Sequence, residues 1–294
     1  MDAPSQQASP SFFTIGNQRV SVPIQPPWVM GIVNVTPDSF SDGGVFLDPE
    51  CAVARALQQI EEGAPVIDVG GESTRPGSRP VPAAEQIRRV IPVIEGLQSK
   101  NSRIFISIDT TAAEVAQSAL HAGASIVNDT SSLRDDPNMI DVVARARASV
   151  VLMHRKGTPH DMQQGGGPLY EDVVAEIMDF LTQRIEFAVR GGIDRERIAI
   201  DPGIGFGKRD ADNLVILQQV RRFNQLGCPV VIGASRKRFI GKVLNEAEPR
   251  DRVIGSVACA TITALGGASI VRAHDVLPTV QAINMALAIQ SGQV

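Results

Sequence analysis

Asp68, Asp109, Asn128 and Asp201 each close a short apolar, β-branched run, and Lys237 stands two residues beyond Ser235, where another such run ends. A carboxylate accepts two hydrogen bonds from an amino group and an adjacent ring N–H, an Asn amide matches a mixed edge, and an ammonium donates to a ring carbonyl. Gathered in one place, these groups suit a flat, nitrogen-rich heterocycle. Any one of the carboxylates could instead cap a helix or pair structurally with Lys or Arg; it is their number that favours binding.

A second set is cationic: Arg236, Lys237 and Arg238 after the seventh run, and Arg272 with His274 after the eighth. Guanidinium forks match phosphate oxygens, so this set suits an anion. Arg238 is expected to be solvated surface charge, and His274 could equally be a structural histidine. The stretch DPGIGFGK (201–208) spaces three glycines by two and matches neither a dinucleotide fingerprint nor a P-loop. It predicts a strand-to-helix turn in which Gly203 and Gly205 either admit a ligand to the backbone or serve turn geometry alone.

Eight runs end this way: VMGIVN at Asn34, VIDVG around Asp68, RIFISID at Asp109, SIVN at Asn128, SVVLMH at His154, RIAID at Asp201, PVVIGAS at Ser235 and SIVRAH at His274. Helical patterns follow them at about 49–62, 83–99, 111–122, 137–147, 171–191, 211–225, 250–266 and 276–290. In the fifth, Val174, Ile177, Met178, Leu181, Ile185 and Ala188 mark one buried face before a stop at Gly191–Gly192. The alternation predicts an α/β fold, a TIM-type (β/α)8 barrel of eight parallel strands, with an open doubly wound sheet as the alternative. In such a barrel, the C-terminal strand ends form one mouth, and the loops after strands seven and eight recurrently bind phosphate.

The expected organisation is a disordered tail over 1–12 and one barrel domain over 13–294. A hydrophobic share of 43%, with 20% charged residues, fits a packed globular chain. A net charge of −4 gives no global attraction to nucleic acid. Cys51, Cys228 and Cys259 lack metal or redox spacing and are expected to be buried thiols in a reducing compartment. The first residues show no signal-peptide pattern, so a cytoplasmic location is expected. The uncharged stretches 253–270 and 276–294 are broken by polar residues and read as buried helices, with no membrane partner. Long loops after the first two strands, VTPDSFSDGGVFLD and GGESTRPGSRPV, are expected to act as lids. Small residues in the seventh helix, among them Gly255, Ala258 and Ala264, fit either internal packing or a dimer face.

The motifs GIVNVTPDSFSDGG, IDVGGESTRPG, SIDT, IVND, VLMH with GTP and MQ, IDPGIGFGK, ASRKRFIG and VRAHDV stand in an order that resembles the dihydropteroate synthases, a pterin-binding family of folate biosynthesis. The likeness covers about residues 29–290. It implies joining 6-hydroxymethyl-7,8-dihydropterin diphosphate to para-aminobenzoate, with release of diphosphate. It implies pterin contacts from Asp109, Asn128, Met153, Asp201, Gly205 and Lys237, and diphosphate contacts from Asn34, Arg75, Arg272 and His274. Asn34 would also help hold Mg²⁺, the implied cofactor. Thr74, Pro76, Phe206, Lys237 and the Ser235 backbone would frame para-aminobenzoate. Asp68, Arg75 and Lys237 would carry the chemistry, in a homodimer.

Two departures from the family pattern are visible. Ala112 stands where a Lys commonly follows the third-strand Asp-Thr pair, and MHRKG replaces the commoner MH-Met-x-G form, so Arg155 and Lys156 are expected to add charge near the pterin pocket. A pterin-binding methyltransferase shares the barrel but has no diphosphate to hold, and a pterin-binding homologue without turnover is the non-enzyme alternative.

Overall fold

The computed structural model describes residues 11–36, 48–73, 78, 80–101, 103–157, 162 and 167–293. The hairpin β1 (Ser11–Ile15) and β2 (Gln18–Val22) comes first. Eight strands then alternate with helices: β3 (Trp28–Asn34), α1 (Pro49–Glu61), β4 (Val66–Gly70), α2 (Ala83–Lys100), β5 (Phe105–Asp109), α3 (Ala113–His121), β6 (Ile126–Asp129) and α4 (Met139–Ala146). The second half holds β7 (Ser149–Met153), α5 (Val173–Arg190), β8 (Ile198–Asp201), α6 (Asp210–Gln218), α7 (Val220–Phe223), β9 (Val231–Ile232), α8 (Arg238–Leu244), α9 (Val253–Leu265), β10 (Ile270–Ala273) and α10 (Val276–Ser291). The sheet runs β8-β7-β6-β5-β4-β3-β10-β9, with every pair parallel, and a parallel bridge between Ile200 and Val230 joins its ends. The expected parallel (β/α)8 barrel is what forms.

Alternation along each strand sorts the side chains into two cores. Ile67, Val69, Ile106, Ile108, Val127, Val150, Leu152 and Ile200 point outward and pack against the helices. Helix α5 shows how such a helix is specified: Asp172 caps it by accepting from the Val174 and Ala175 N–H groups, and Val174, Ile177, Leu181, Ile185 and Ala188 are buried, as their spacing predicts. Burying each large aliphatic side chain there stabilises the fold by about 1.5–3 kcal/mol. Met30, Val66, Ile126, Val151, Ala199, Val231 and Ile270 point inward, near the N-terminal ends of the strands, and pack against Phe13, Ile15 and Ile24. The hairpin therefore plugs the bottom of the barrel. Its two-residue loop begins at Gly16, whose φ of +55° suits a tight hairpin turn.

Several expectations need correction. β1 begins at Ser11, two residues inside the expected tail; residues 1–10 lie outside the described residues. Ser11 and Phe12 are held because the strand pairs with β2 as far as Val22. The sixth helical pattern splits into α6 and α7, and α8 is an additional helix. Cys51 is exposed rather than buried, because it faces outward from the first turn of α1 beside Asp48, while Cys228 is buried and Cys259 half-buried. The uncharged helices α9 and α10 are not wholly buried: Ile254, Ile262, Met285 and Ile289 are exposed. No helix among the described residues is long and apolar enough to cross a membrane. The lid expectation rests largely on residues 37–47 and 74–77, which lie outside the described residues.

Candidate active site

Two residues further along from the apolar inner layer, the same inward face turns polar on four strands: Val66 leads to Asp68, Ile126 to Asn128, Ala199 to Asp201 and Ile270 to Arg272, while Val151 leads to the apolar Met153. On β5 the inward series is Phe105, Ser107 and Asp109. Parallel register sets Asp109 beside both Gly70 and Asn128, and Met153 beside Asp201. Small residues keep room at this level: a Cβ on Gly70 would lie 3.6 Å from the Asp109 Cβ, and one on Gly233 3.9 Å from both Asp201 Oδ2 and Arg272.

Arg272 organises the acidic group. Its Nε donates to Asp68 Oδ2 at 2.6 Å and its Nη2 to Asp109 Oδ2 at 2.8 Å, while Asn128 Nδ2 donates to Asp68 Oδ2 at 3.0 Å. The guanidinium of Arg272, which the sequence places toward an anion, joins two carboxylates of the neighbouring strands β4 and β5 through Nε and Nη2. Asp68 Oδ1 and Asp109 Oδ1 remain buried acceptors with no hydrogen-bond partner among the described residues. Such atoms call for a ligand, a water or a proton. Burial pushes the Asp109 carboxyl well above the usual range, with Arg272 opposing and Asp68 reinforcing the shift. For Arg272, burial works against the charge, yet Asp68 and Asp109 outweigh it and raise the guanidinium further.

Asp201 accepts the Gly203 N–H at 2.6 Å through Oδ1, and burial pushes it up to about 6 against the pull of that N–H, Lys237, Lys208 and Arg272. Beside it, Met153, Met162 and Phe206 form a small apolar cluster. Lys237 Nζ lies 4.1 Å from the centroid of the Phe206 ring, a cation–π contact that holds the ammonium beside Asp201. The loop carrying Lys237 is fixed by Arg236, whose φ of +58° is uncommon for a side-chain-bearing residue. The Arg236 guanidinium binds Asp275 at 2.6 and 3.0 Å, its N–H donates to Ser256 Oγ, and its carbonyl accepts from Arg252. Arg236 is therefore a structural clamp. Arg238 is largely exposed, as expected.

Gly205 is shaped for its neighbours: its N–H donates to Asn213 Oδ1 at 2.7 Å, and at φ +81° a Cβ would press on the Lys237 side chain. His274 Nδ1 lies 3.0 Å from Ser235 Oγ, which also accepts the His274 N–H, so the loops after β9 and β10 are joined there. The His274 carbonyl accepts from Arg55 at 3.0 Å and from Gln59 at 3.4 Å, two contacts from α1 that spacing alone does not expose. Asn34 ends β3, half-buried, with Oδ1 3.5 Å from where a Gly70 Cβ would stand. Thr74, Arg75 and Pro76 lie outside the described residues.

Arg155 and Lys156 do not add charge to the pocket. Arg155 is buried against Asp135, with contacts of 2.7 and 2.9 Å, and Lys156 lies over the Tyr170 ring beside Glu176. Ala112 sits at the N-cap of α3, and its N–H donates to Thr110 Oγ1. Two further buried polar groups went unassigned from sequence. Asp129 accepts the Ser131 and Leu133 N–H groups at 2.7 Å each and so shapes the loop after β6. Lys208, the end of the glycine-spaced motif, is almost wholly buried.

Among the described residues, no group of three or more His, Cys, Asp or Glu could hold a metal ion. Asn34 offers a hard amide oxygen near the mouth, which is the kind of ligand Mg²⁺ accepts when substrate phosphates and waters complete its shell.

The sequence pattern of the pterin-binding enzyme family matches residues 30–274. The chain is 42% identical to a dihydropteroate synthase of Escherichia coli K12 over 91% of this chain and 93% of that protein. The solved structure of the Xanthomonas albilineans dihydropteroate synthase with 4-aminobenzoic acid superposes with a TM-score of 0.87 at 46% identity, covering 96% of this chain and 99% of that one. A structure of the same organism's enzyme with 7,8-dihydropteroate gives a TM-score of 0.82 at 46% identity, covering 91% and 95%.

Proposed function

Because this chain belongs to the pterin-binding enzyme family, we propose that it condenses 6-hydroxymethyl-7,8-dihydropterin diphosphate with para-aminobenzoate, releasing diphosphate and forming 7,8-dihydropteroate. The observation that carries the reading is the pair of unpartnered, buried acceptors, Asp68 Oδ1 and Asp109 Oδ1, in a mouth that also holds Asn128, Asp201 and Lys237. The ring N–H and amino groups of a pterin supply donors of the kind these oxygens lack, and the Met153–Phe206 wall offers a flat apolar face.

The reaction breaks the CH₂–O bond to diphosphate and forms a CH₂–N bond to the arylamine, which then loses a proton. Positive charge developing on the methylene is favoured by the buried carboxylates, and negative charge on the departing diphosphate needs cations at the rim. Arg272 is the guanidinium already inside the mouth, and His274 stands at the end of its strand. Asn34 would hold Mg²⁺ against the diphosphate; the ion, when bound, neutralises charge on the leaving group. Phe206 and Lys237 would frame the arylamine, with Thr74, Arg75 and Pro76 completing the site from the loop after β4.

We further propose a homodimer built on α9 and α10, supported by exposed Ile254, Ala258 and Ile262 along one line of α9 and by exposed Met285 and Ile289 on α10. Cytoplasmic residence is proposed on the three scattered free thiols, which suit a reducing compartment. The test of function is diphosphate release by the full chain, varying the pterin diphosphate, para-aminobenzoate and Mg²⁺ separately. Release requiring all three supports the reading. Binding of the pterin diphosphate without release leaves a pterin-binding homologue, and no binding overturns the reading.

A further inference from the structure

We infer that Lys208 is a positioning residue for the pterin site: its buried ammonium ties the loop after β7 to the turn after β8 and so sets the Gly203–Phe206 turn that holds Asp201. The inference deepens the reading above and rests on it.

Among the described residues, three acceptors lie within hydrogen-bond reach of the ammonium. Lys208 Nζ lies 2.9 Å from His154 Nδ1, 3.3 Å from the His154 carbonyl oxygen and 3.1 Å from the Phe206 carbonyl oxygen. Its three N–H bonds suit such a tripod, and an apolar side chain of equal length has nothing to offer it. The acceptors come from two separate loops. His154 follows β7 and Phe206 lies beyond β8, while the His154 N–H donates to the Asp201 carbonyl at 2.8 Å. A Cβ on Gly203 would overlap the His154 carbonyl oxygen, and one on Gly207 the Lys156 carbonyl oxygen, so both loops touch backbone to backbone. Positive φ at Gly203 and Gly207, +71° and +62°, completes the close approach.

Burial of an ammonium is strongly unfavourable unless the charge is used, and at this site it drives Lys208 down to about 7. The use is local. The same turn directs the Gly203 N–H onto Asp201 Oδ1 and sets the Phe206 ring beneath Lys237. His154 is held as a neutral imidazole, pushed down to about 2 by burial and by Lys208, and its Nδ1 is the acceptor when Lys208 is an ammonium. Its ring is fixed edge-on to Phe180, 4.9 Å between centroids.

The test measures pterin diphosphate affinity by calorimetry, steady-state kinetics and thermal unfolding on the full chain and on Lys208→Met, His154→Asn and His154→Leu. Lys208→Met is expected to lower the melting temperature, since His154 Nδ1 and the His154 and Phe206 carbonyls lose their buried donor, so affinity is measured well below the unfolding transition. It is expected to bind pterin diphosphate about 10- to 100-fold more weakly, the scale of a displaced binding wall. The loss should sit in KM, with kcat at saturation within about threefold of the parent. Asn at 154 keeps an acceptor near the place of Nδ1 and should retain most of the affinity, whereas Leu should lose it. The His154 pair decides the matter even where Lys208→Met does not fold. Parent affinity in Lys208→Met, or equal affinities in the two His154 variants, overturns the inference. Failure of the parent itself to bind pterin diphosphate overturns the functional reading beneath it, and the two failures are told apart by that control.

Discussion

Replacing Asp109 with Asn should weaken pterin binding far more than arylamine binding. One carboxylate oxygen accepts from Arg272 at 2.8 Å, and the other is a buried acceptor with no hydrogen-bond partner among the described residues. An Asn amide has a single oxygen. Turned toward Arg272, it presents an NH₂ to the ligand's own donors; turned toward the ligand, it sets NH₂ against a guanidinium. Either way one charged hydrogen bond is lost, worth about 1.5–3 kcal/mol, or about 10- to 150-fold in affinity. Stability should change little, within about 1 kcal/mol, because two effects oppose each other. The neutral side chain relieves the burial that pushes the Asp109 carboxyl up, while Arg272 loses one carboxylate and keeps Asp68 at 2.6 Å. Calorimetry with the pterin diphosphate gives the affinity, steady-state kinetics gives the arylamine KM, and thermal unfolding checks the fold. Equal losses toward both substrates, or none toward the pterin, would refute the assignment of Asp109.

Further outcomes follow from the same geometry. Asp201 is raised to about 6, so affinity for a pterin without a diphosphate should fall as pH drops through 6, and Asp201→Asn should flatten that limb; a limb unchanged in the variant contradicts the assignment. The sign for stability is opposite: with a folded value above the unfolded ~3.9, the native state holds more protons between about pH 4 and 6, so this group's contribution is greatest below that window and is lost as pH rises through it. Asp129→Ala strands the Ser131 and Leu133 N–H groups and should cost about 2–5 kcal/mol in urea unfolding; a loss under about 1 kcal/mol would show that the loop after β6 does not need its anchor. Ile254→Glu combined with Ile262→Glu should convert dimer to monomer in sedimentation, and an unchanged assembly state would move the interface away from α9.

Eight strand ends were legible because each short apolar, β-branched run stops on or beside a polar residue, so that one local pattern marks both the fold and the mouth. Asp68, Asp109, Asn128 and Asp201 were found this way. Arg272 was found as well, but not its pairing with two carboxylates over 160 residues away along the chain. Long-range pairing of that kind has no local signature. The hairpin was missed because its five-residue strands adjoin a polar tail, although Phe13 and Ile15, two apart before a Gly-Asn turn, carry a strand signal. Arg155 read as pocket charge because spacing does not reveal that Asp135, from the preceding loop, pairs with its buried guanidinium. Lys208 went unassigned for a related reason: a lysine after three glycines looks solvated until the turn folds over it.

The account stands most directly on where the ring lies, and a crystal structure of the full chain with a pterin bound measures that. The account predicts the bicyclic ring inside the barrel mouth, its N–H edge on Asp109 and Asp201 and one face against Met153 or Phe206. A ring bound outside the barrel mouth, with Asp109 Oδ1 still unpartnered, would contradict it.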